Sequence, residues 1–305
     1  MQANLGDIWD EWQTTWRYLM QPSDSRLNGW SLDDRDPETI RQLMPLYGWF
    51  YEHYFRVETD GWHHIDPNRQ ALFVGSHNGG LAAPDMHMMI YDWVQRFGAD
   101  VAMYGLMHPL VWGVYGDLAK TATRCGAVRA HPKMAIAALE AGAHVLVYPG
   151  GAEDTFRPYT QRDRIYFAER RGFIKLALRQ AVPIIPAISW GAHDTLIVLA
   201  ELYEPLEAQI NHLFQFDLTL IKRINPKVFP IYLGLPWGLA IGPLPNLPLP
   251  TKIWTRVCAP IEFERTGPDA ARDRDYVEAC YWRVKTQMQA ELDQLIADAV
   301  KPAPK

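Results

Sequence analysis

The residues best suited to chemistry lie in the segment LFVGSHNGGLAAPD, positions 72–85, which contains His77 and Asp85. An imidazole titrates near neutral pH and can take a proton from a substrate hydroxyl, while a nearby carboxylate fixes its tautomer and stabilises the imidazolium. Gly79 and Gly80 leave room for a substrate or for a tight backbone turn. These residues predict a general base at His77 partnered by Asp85. The alternative is a histidine that only binds loop backbone groups.

A second polar loop follows the apolar run VLVY at positions 145–148. Gly150 and Gly151 allow a ligand to approach the backbone closely. Three polar side chains come just after these glycines: Glu153, Asp154 and Arg157. A guanidinium in such a loop is suited to binding phosphate groups. The composition therefore predicts a substrate-binding loop, with a turn carrying solvated charges as the alternative.

Short apolar runs that alternate with longer amphipathic segments indicate the elements that must position these loops. The runs predict strands at 71–75, 99–104, 143–148 and 182–189, with helices between them. Alternation of this kind is typical of βαβ units, so we expect an α/β fold with a mostly parallel central sheet flanked by helices. Sites in such sheets lie beyond the carboxyl ends of strands. Both polar loops satisfy that rule, since each follows a predicted strand.

Prolines refine the prediction in three places. Pro84 suits the first position of a helix, which would put Asp85 in the first turn, where the helix dipole favours a carboxylate. Pro183 and Pro186 predict that the fourth strand lies at a sheet edge or begins there, because proline cannot donate to the ladder. The segment 229–250 mixes prolines and glycines with Leu, Ile and Trp. It is too apolar for a flexible linker, so we predict an ordered apolar loop or a membrane-facing lip.

Helices are predicted near both ends of the chain. Five apolar residues recur at helical spacing near the start: Ile8, Trp9, Trp12, Trp16 and Leu19. Such a stripe packs on its own protein or lies in a membrane surface. An aromatic-rich helical segment covers 37–55, and an amphipathic segment at 272–300 predicts a C-terminal helix. We therefore divide the chain into an N-terminal helical cap or membrane-interface region, 1–56, and an α/β domain, 57–300.

Composition narrows the class of protein. The formal net charge of -5 and the lack of lysine-rich tracts argue against a nucleic-acid partner, which would require a basic face. Cys125, Cys258 and Cys280 are too far apart in sequence to suggest a disulfide framework or a metal site, and they suit a reducing interior. No basic segment followed by a cleavage site marks a secretory signal, and no apolar run reaches the roughly 18 residues of a membrane span. We expect a cytoplasmic protein with peripheral membrane contact.

In chain order, these segments resemble the glycerolipid acyltransferase superfamily, most closely its lysophospholipid and monoacylglycerol acyltransferase-like branch. The first family block is a histidine followed by an aspartate between a strand and a helix, matched by His77 and Asp85. A later block reads Pro-Gly-Gly or Pro-Glu-Gly followed by polar residues, matched at 149–157. The segments 126–141 and 171–186 resemble the other blocks.

The resemblance implies a glycerol-3-phosphate acyltransferase-like fold and an O-acyltransferase of lipid metabolism, such as phospholipid biosynthesis. The donor would be a thioester, acyl-CoA or acyl carrier protein, and the acceptor a lipid hydroxyl, with neither a metal nor a prosthetic group. His77 and Asp85 would be the catalytic residues. The implied substrate-binding residues are Asn78, Gly79, Gly80, Arg129, Gly150, Gly151, Glu153, Asp154 and Arg157.

Two departures from the family pattern have consequences. Seven residues separate His77 from Asp85, where the family usually has four, so the loop must bulge for the two side chains to meet. The Glu-Gly-Thr-Arg form of the later block is absent, which leaves the acceptor open among free alcohols, monoacylglycerols and diacylglycerols.

Three other functions compete with acyl transfer. The sequence AISWG at 187–191 is a distant variant of a nucleophile elbow and would make Ser189 a serine esterase nucleophile, with His193 or His212 as its base. The longer spacing between His77 and Asp85 is also what a noncatalytic lipid-binding protein of the same fold could show. A metal hydrolase would have to use His63, His64 and Asp66, which no further ligands at a recognisable spacing accompany.

Overall fold

The computed structural model describes residues 27–114, 116–202 and 228–301. A seven-stranded central sheet in the order β1-β10-β6-β2-β5-β3-β4 forms the framework, and a three-stranded sheet in the order β7-β8-β9 lies apart from it. The strands are β1 Glu58–Asp60, β2 Leu72–Gly75, β3 Met103–Met107, β4 Ala127–Arg129, β5 His144–Val147, β6 Ile184–Trp190, β7 Ile197–Glu201, β8 Pro230–Gly234, β9 Gly238–Ile241 and β10 Trp254–Val257.

The central sheet is mostly parallel, as predicted. Strands β6, β2, β5, β3 and β4 run in one direction, and β10 pairs antiparallel with β6. The prediction of a strand at 99–104 was wrong at its start, since β3 begins at Met103. The carbonyl groups of Ala99 and Val101 instead accept side-chain hydrogen bonds from Arg35 and Trp93, which hold this stretch as a turn after a helix.

The prediction that prolines mark a sheet edge or a strand start holds for Pro183, which directly precedes β6. It was wrong for Pro186, because β6 lies between β10 and β2 and Pro186 is inside it. Strand β10 ends at Val257, opposite Ala187. Pro186 therefore lies just beyond the part of β6 that pairs with β10. No ladder bond to β10 is needed from its nitrogen, and its carbonyl still accepts from the Cys258 backbone amide at 2.9 Å.

Helices cover both faces of the central sheet. They are α1 Pro37–Trp49, α2 Pro84–Phe97, α3 Leu110–Val114, α4 Asp117–Arg124, α5 Pro132–Glu140, α6 Gly151–Thr155, α7 Gly172–Gln180, α8 Pro268–Arg272 and α9 Arg274–Val300. On one face Leu72 and Val74 pack in a core with α5, α7 and α9, while on the other Phe73 packs with Trp93 of α2. Side chains of a strand alternate between faces, so β2 is buried on both.

The described part of the predicted N-terminal cap is helix α1, which continues as a π-helical turn at Phe50–Tyr54. Tyr51 in that turn packs on Tyr91 of α2, with ring centroids 4.9 Å apart. The apolar stripe predicted at positions 8–19 lies outside the described residues. Within the residues that are described, no helix is both long and apolar enough to cross a bilayer.

The segment predicted as an ordered apolar loop or lip, 229–250, contains a β-hairpin made of β8 and β9. Its turn region and one face expose large apolar side chains that the sheet does not cover. These are Leu233, Leu235, Trp237, Leu239 and Ile241. We call this set the apolar hairpin face.

Candidate active site

Strand order explains why the two polar loops meet. Strand β2 pairs in parallel with β5 on one side and with β6 on the other. The loops that leave the carboxyl ends of these three strands must therefore begin at the same edge of the sheet. The loop after β2 carries His77, the loop after β5 carries Asp154, and the loop after β6 carries His193.

His77 and Asp85 are brought together despite the long spacing between them. Helix α2 begins with Pro84 at its first position, so Asp85 lies in the first turn, fully buried. Oδ2 of Asp85 is 3.2 Å from Nδ1 of His77, and it accepts a hydrogen bond from the backbone amide of Asn78 at 3.0 Å. Because an ionised carboxylate only accepts hydrogen bonds, Nδ1 carries the imidazole proton and Nε2 is left with its lone pair. That is the tautomer a general base requires.

The surroundings of His77 favour its protonated form. Burial lowers the pKa of His77, but the charges of Asp85 and Asp154 outweigh burial and the opposing charge of Arg157, so its pKa is raised above the ordinary value. The ring of Tyr148 lies against the imidazole, with centroids 4.6 Å apart. Burial raises the pKa of Tyr148 well above its ordinary value, so this neighbour stays uncharged. The His77 side chain is 18% exposed.

Behind His77 lies a buried ion pair between Asp154 and Arg157. Asp154 accepts from the backbone amide of His77 and from the Ser76 hydroxyl, the latter at 3.0 Å. Arg157 donates to Ser76 at 3.2 Å and to Oδ1 of Asn78 at 2.8 Å. Burial raises the pKa of Asp154 against the opposing effect of the Arg157 charge. The loop after β5 thus binds the backbone amide of His77 and the side chains of the residues on both sides of it.

This burial bears on three predicted substrate-binding residues. The exposed fractions of Asn78, Asp154 and Arg157 are 3%, 0% and 3%. The hydrogen bonds of their polar groups are to one another and to the His77 loop, so their contacts are those of a support beneath that loop. A substrate phosphate could reach the Arg157 guanidinium only by displacing those bonds.

The predicted glycines are used for tight backbone packing. Gly79 and Gly80 have φ values of +81° and +68°, which a residue with a side chain rarely adopts. A Cβ on Gly79 would lie 2.6 Å from Oγ1 of Thr195, and one on Gly150 would lie 2.5 Å from the Tyr166 carbonyl oxygen. Of the two interpretations of these glycines, room for a substrate or a tight turn, the structure supports the turn.

Glu153 lies on the outer side of the second loop and pairs with Arg170. Arg170 also donates to the carbonyl groups of Pro149 and Gly150, the former at 2.8 Å, so it holds the turn that Gly151 completes. Its specific role depends on a contact across 20 residues, which composition does not show.

Arg129 is not brought into the His77 cluster. It ends β4 at the far edge of the sheet, where its Nε donates to the Asn28 carbonyl at 2.8 Å. Its guanidinium lies over the rings of Trp30 and Trp112, at 5.6 Å and 5.0 Å from their centroids. Binding of a substrate head group by Arg129 stays a prediction for a different part of the sheet edge.

Three residues of the site were not singled out from the sequence: Ser76, Tyr148 and Asn246. A fourth, His193, was considered only as a base for Ser189. Ser76 and Tyr148 belong to the two polar segments, and their positions at strand ends were an available signal. Nε2 of His193 is bound to the Arg157 carbonyl at 2.8 Å, and burial, with the Arg157 charge, lowers its pKa to about 4. Asn246 comes from the apolar segment 229–250 and binds the His77 loop, although no sequence pattern connects the two.

The alternative sites have less suitable geometry. Ser189 lies inside β6 with its hydroxyl 3.4 Å from that of Thr255, whereas a nucleophile elbow requires a sharp turn between a strand and a helix. His193, one candidate base for it, uses Nε2 on a backbone carbonyl. His63 and His64 are exposed on a short 3-10 helix. Within the described ranges, no three His, Cys, Asp or Glu side chains are placed to hold a metal ion.

Comparison with known proteins gives a family match over most of the chain. A family model described as diacylglycerol acyltransferase matches residues 40–292. An uncharacterized protein of Mycobacterium tuberculosis is 28% identical over 209 residues, which is 66% of this chain and 55% of that protein. Diacylglycerol O-acyltransferase 2 of Dictyostelium discoideum is 28% identical over 125 residues, 41% of this chain and 35% of that protein. The chain thus spans about half the length of the first curated relatives it matches.

One solved structure was also found to be similar. It is the 1-acyl-sn-glycerophosphate acyltransferase PlsC of Thermotoga maritima, with a TM-score of 0.43 and 15% sequence identity. The alignment covers 92% of this chain and 89% of that one.

Proposed function

The chain belongs to the diacylglycerol acyltransferase family, and on that premise we propose that it transfers a fatty acyl group from a thioester donor to a lipid hydroxyl. The donor is acyl-CoA or acyl carrier protein. The acceptor is a glycerolipid or another lipid alcohol, and diacylglycerol is the first to test because the family description and the Dictyostelium relative both name it.

One observation carries this proposal. His77 meets a buried carboxylate through Nδ1, at 3.2 Å, while its side chain remains 18% exposed at the carboxyl end of the sheet. An imidazole held in this way has Nε2 available to accept a proton from a bound alcohol. The contact supports catalysis over the noncatalytic alternative, because the bulged loop still joins the two side chains.

The proposed reaction needs one base and no covalent enzyme intermediate. Nε2 of His77 takes the hydroxyl proton as the acceptor oxygen attacks the thioester carbonyl, and a tetrahedral intermediate forms. Asp85 stabilises the imidazolium during this step. The intermediate then collapses by breaking its carbon-sulfur bond, and the imidazolium returns the proton to the thiolate. The products are a lipid ester and a free thiol, and the step uses no metal or prosthetic group.

Contact with a lipid surface is the second part of the proposal. The apolar hairpin face exposes 53% of Trp237, 65% of Leu239 and 55% of Ile241. Contiguous apolar surface of this kind is suited to insertion between lipid head groups. The segment that carries this face also binds the His77 loop through Asn246, so a bilayer contacted here would present its lipids near the site. We propose peripheral membrane contact through this face.

The enzymatic proposal is tested with purified protein, radiolabelled acyl-CoA and a panel of diacylglycerol, monoacylglycerol, lysophospholipid and long-chain alcohol acceptors. We expect a labelled ester from at least one acceptor in the parent and none above background with His77→Ala. A second series with acyl carrier protein tests the other donor. Equal ester formation by parent and variant would refute the role of His77, and absence of transfer from both donors would refute the proposal.

Membrane contact is tested by liposome flotation. We expect the parent to float with liposomes and Trp237→Ser to stay at the bottom of the gradient. Trp282 is a matched control, because it is an exposed tryptophan on α9, away from the hairpin. Trp282→Ser should float like the parent. Flotation of Trp237→Ser to the same extent as the parent would refute the assignment of this face.

A further inference from the structure

Between His77 and Asp85, the middle of the loop is bound by one side chain from a distant segment. Oδ1 of Asn246 accepts from the backbone amides of Leu81 at 3.0 Å and Ala82 at 3.4 Å. Its Nδ2 donates to the Gly79 carbonyl at 3.3 Å. The Asn246 side chain is buried, with 8% of the residue exposed. A single amide therefore binds three backbone groups of the bulge.

The bulge needs such a partner because its two glycines are free to adopt other conformations and one alanine is strained. Gly79 and Gly80 both have positive φ, and Ala83, which lacks the freedom of glycine, has φ of +43°. Ala83 is also the residue directly before helix α2, so its conformation sets where the helix begins and where Asp85 lies. Unbound, a loop with three such residues would relax toward other conformations, and the distance between His77 and Asp85 would change.

We propose that Asn246 is a positioning residue for the catalytic pair, holding the bulge in the one shape that lets His77 and Asp85 meet. This inference rests on the proposed function for its kinetic part. Asn246 does not touch the imidazole, and it acts through Leu81, Ala82 and Gly79. It compensates for the longer spacing between the histidine and the aspartate in this chain.

The position of Asn246 connects the surface to the site. Its neighbours Leu244 and Leu247 are 40% and 59% exposed, and Nε1 of Trp237 donates to the Pro245 carbonyl at 2.6 Å. The same short segment thus carries exposed apolar side chains on one side and the buried amide on the other. A shift of this segment would reach the His77 loop directly through Asn246.

The test compares Asn246→Leu, which keeps the branched shape of the side chain with a larger volume and removes all of its hydrogen bonds, with Thr251→Val. Thr251 is a matched control. It comes directly after the segment 229–250, and its hydroxyl also donates to a backbone carbonyl, that of Gly191 in the loop after β6, at 3.2 Å. Two quantities are measured in each full-length protein. One is kcat for acyl transfer, and the other is the pKa of His77 by NMR of histidine labelled with carbon-13, assigned with His77→Ala.

We expect kcat to fall about 10- to 100-fold in Asn246→Leu, since a misplaced base loses most of its rate advantage. The pKa of His77 should fall by about one unit, because a looser Asp85 no longer supports the imidazolium. Thr251→Val should match the parent in both. A residue that only stabilises the fold would lower the melting temperature and leave the pKa of His77 unchanged. Parent values of kcat and pKa in folded Asn246→Leu would overturn the inference.

The inference can still be tested if Asn246→Leu does not fold or if the parent transfers no acyl group. If Asn246→Leu does not fold, Asn246→Ser replaces it, because a hydroxyl is too short to bind all three backbone groups. Smaller decreases in kcat and in the pKa of His77 are then expected, and their absence overturns the inference. If the parent transfers no acyl group to any acceptor, the proposed function fails, and the NMR pKa of His77 still decides whether Asn246 positions that residue.

Discussion

The loop after β2 and the loop after β5 have similar sequences and different contacts. Each follows a buried strand, contains two adjacent glycines and delivers polar side chains just before or within a helix. The first presents His77 at the surface of the site with 18% of its side chain exposed. The second keeps Asp154 and Arg157 buried beneath it, with 0% and 3% exposure.

The difference shows that charge and position in sequence do not decide which loop is left accessible and which is buried as a support. An Arg and an Asp in a glycine-containing loop are suited to bind a ligand, yet here they bind Ser76, Asn78 and the backbone of His77. If the partly exposed loop acts on a substrate, as proposed, the buried loop is what fixes its shape. The first loop should therefore be sensitive in activity, and the second in folding stability.

The largest effect is expected for His77→Ala. Loss of the base should lower kcat about 10³- to 10⁴-fold. The melting temperature should fall only slightly, because Oδ2 of the buried Asp85 keeps its hydrogen bond from the backbone amide of Asn78. Acyl-transfer kinetics and thermal unfolding measure the two quantities. His63→Ala, which removes an exposed histidine outside the site, is the control and should match the parent. A large loss of stability in His77→Ala would contradict the division between the loops.

The next effect is expected in the second loop. Asp154→Ala leaves the Arg157 charge buried without its partner, and we expect the free energy of unfolding to fall by about 3 kcal/mol. Glu153→Ala is the matched control from the same loop, because its pair with Arg170 is partly exposed and should cost less than about 1 kcal/mol. Urea denaturation measures both. If the two variants were equally stable, Asp154 would not be the support assigned to it.

A smaller loss is expected when the partner of the base is made neutral. Asp85→Asn keeps the shape of the side chain and removes the charge, so we expect kcat to fall about 100-fold. The charge of Asp85 helps to raise the pKa of His77 above its ordinary value. Its loss should lower that pKa, and because the base works only when neutral, the acid limb of the pH profile should move to lower pH. An unmoved limb would show that Asp85 does not act on His77.

Particular residues show how far the sequence reaches. Apolar runs located β2, β5 and β6 to within about two residues, and a mostly parallel sheet then placed the loops carrying His77 and Asp154 at the carboxyl ends of strands. That the two loops meet follows from the pairing of β2 with β5, which the sequence did not predict. The position of β6 inside the sheet was mispredicted from Pro186. A proline is tolerated there because β10 ends at Val257, opposite Ala187, so no ladder bond to β10 is required at Pro186. Asn246 could not be predicted from the sequence, since its contact with Leu81 spans 165 positions and depends on how the segment 229–250 folds.

The finest test of the comparison uses one glycine from each loop. In Gly79→Ala, the alanine would have to adopt a φ of +81°. Its Cβ would lie 2.6 Å from Oγ1 of Thr195 and 2.9 Å from the Ala192 carbonyl oxygen. Gly151→Ala requires a φ of +55°, and its nearest contact is the Arg170 guanidinium at 3.0 Å, the end of a flexible side chain.

Strain at positive φ is common to both substitutions, but only the first also pushes against backbone that cannot move away. We therefore expect the free energy of unfolding to fall by about 2 kcal/mol in Gly79→Ala and by about 1 kcal/mol in Gly151→Ala, both measured by urea denaturation. Gly79→Ala should also lose acyl transfer beyond its loss of stability, because the bulge that joins His77 to Asp85 must shift to accept the Cβ. Equal stability and equal activity of the two variants would mean that the bulge has more freedom than its packing implies.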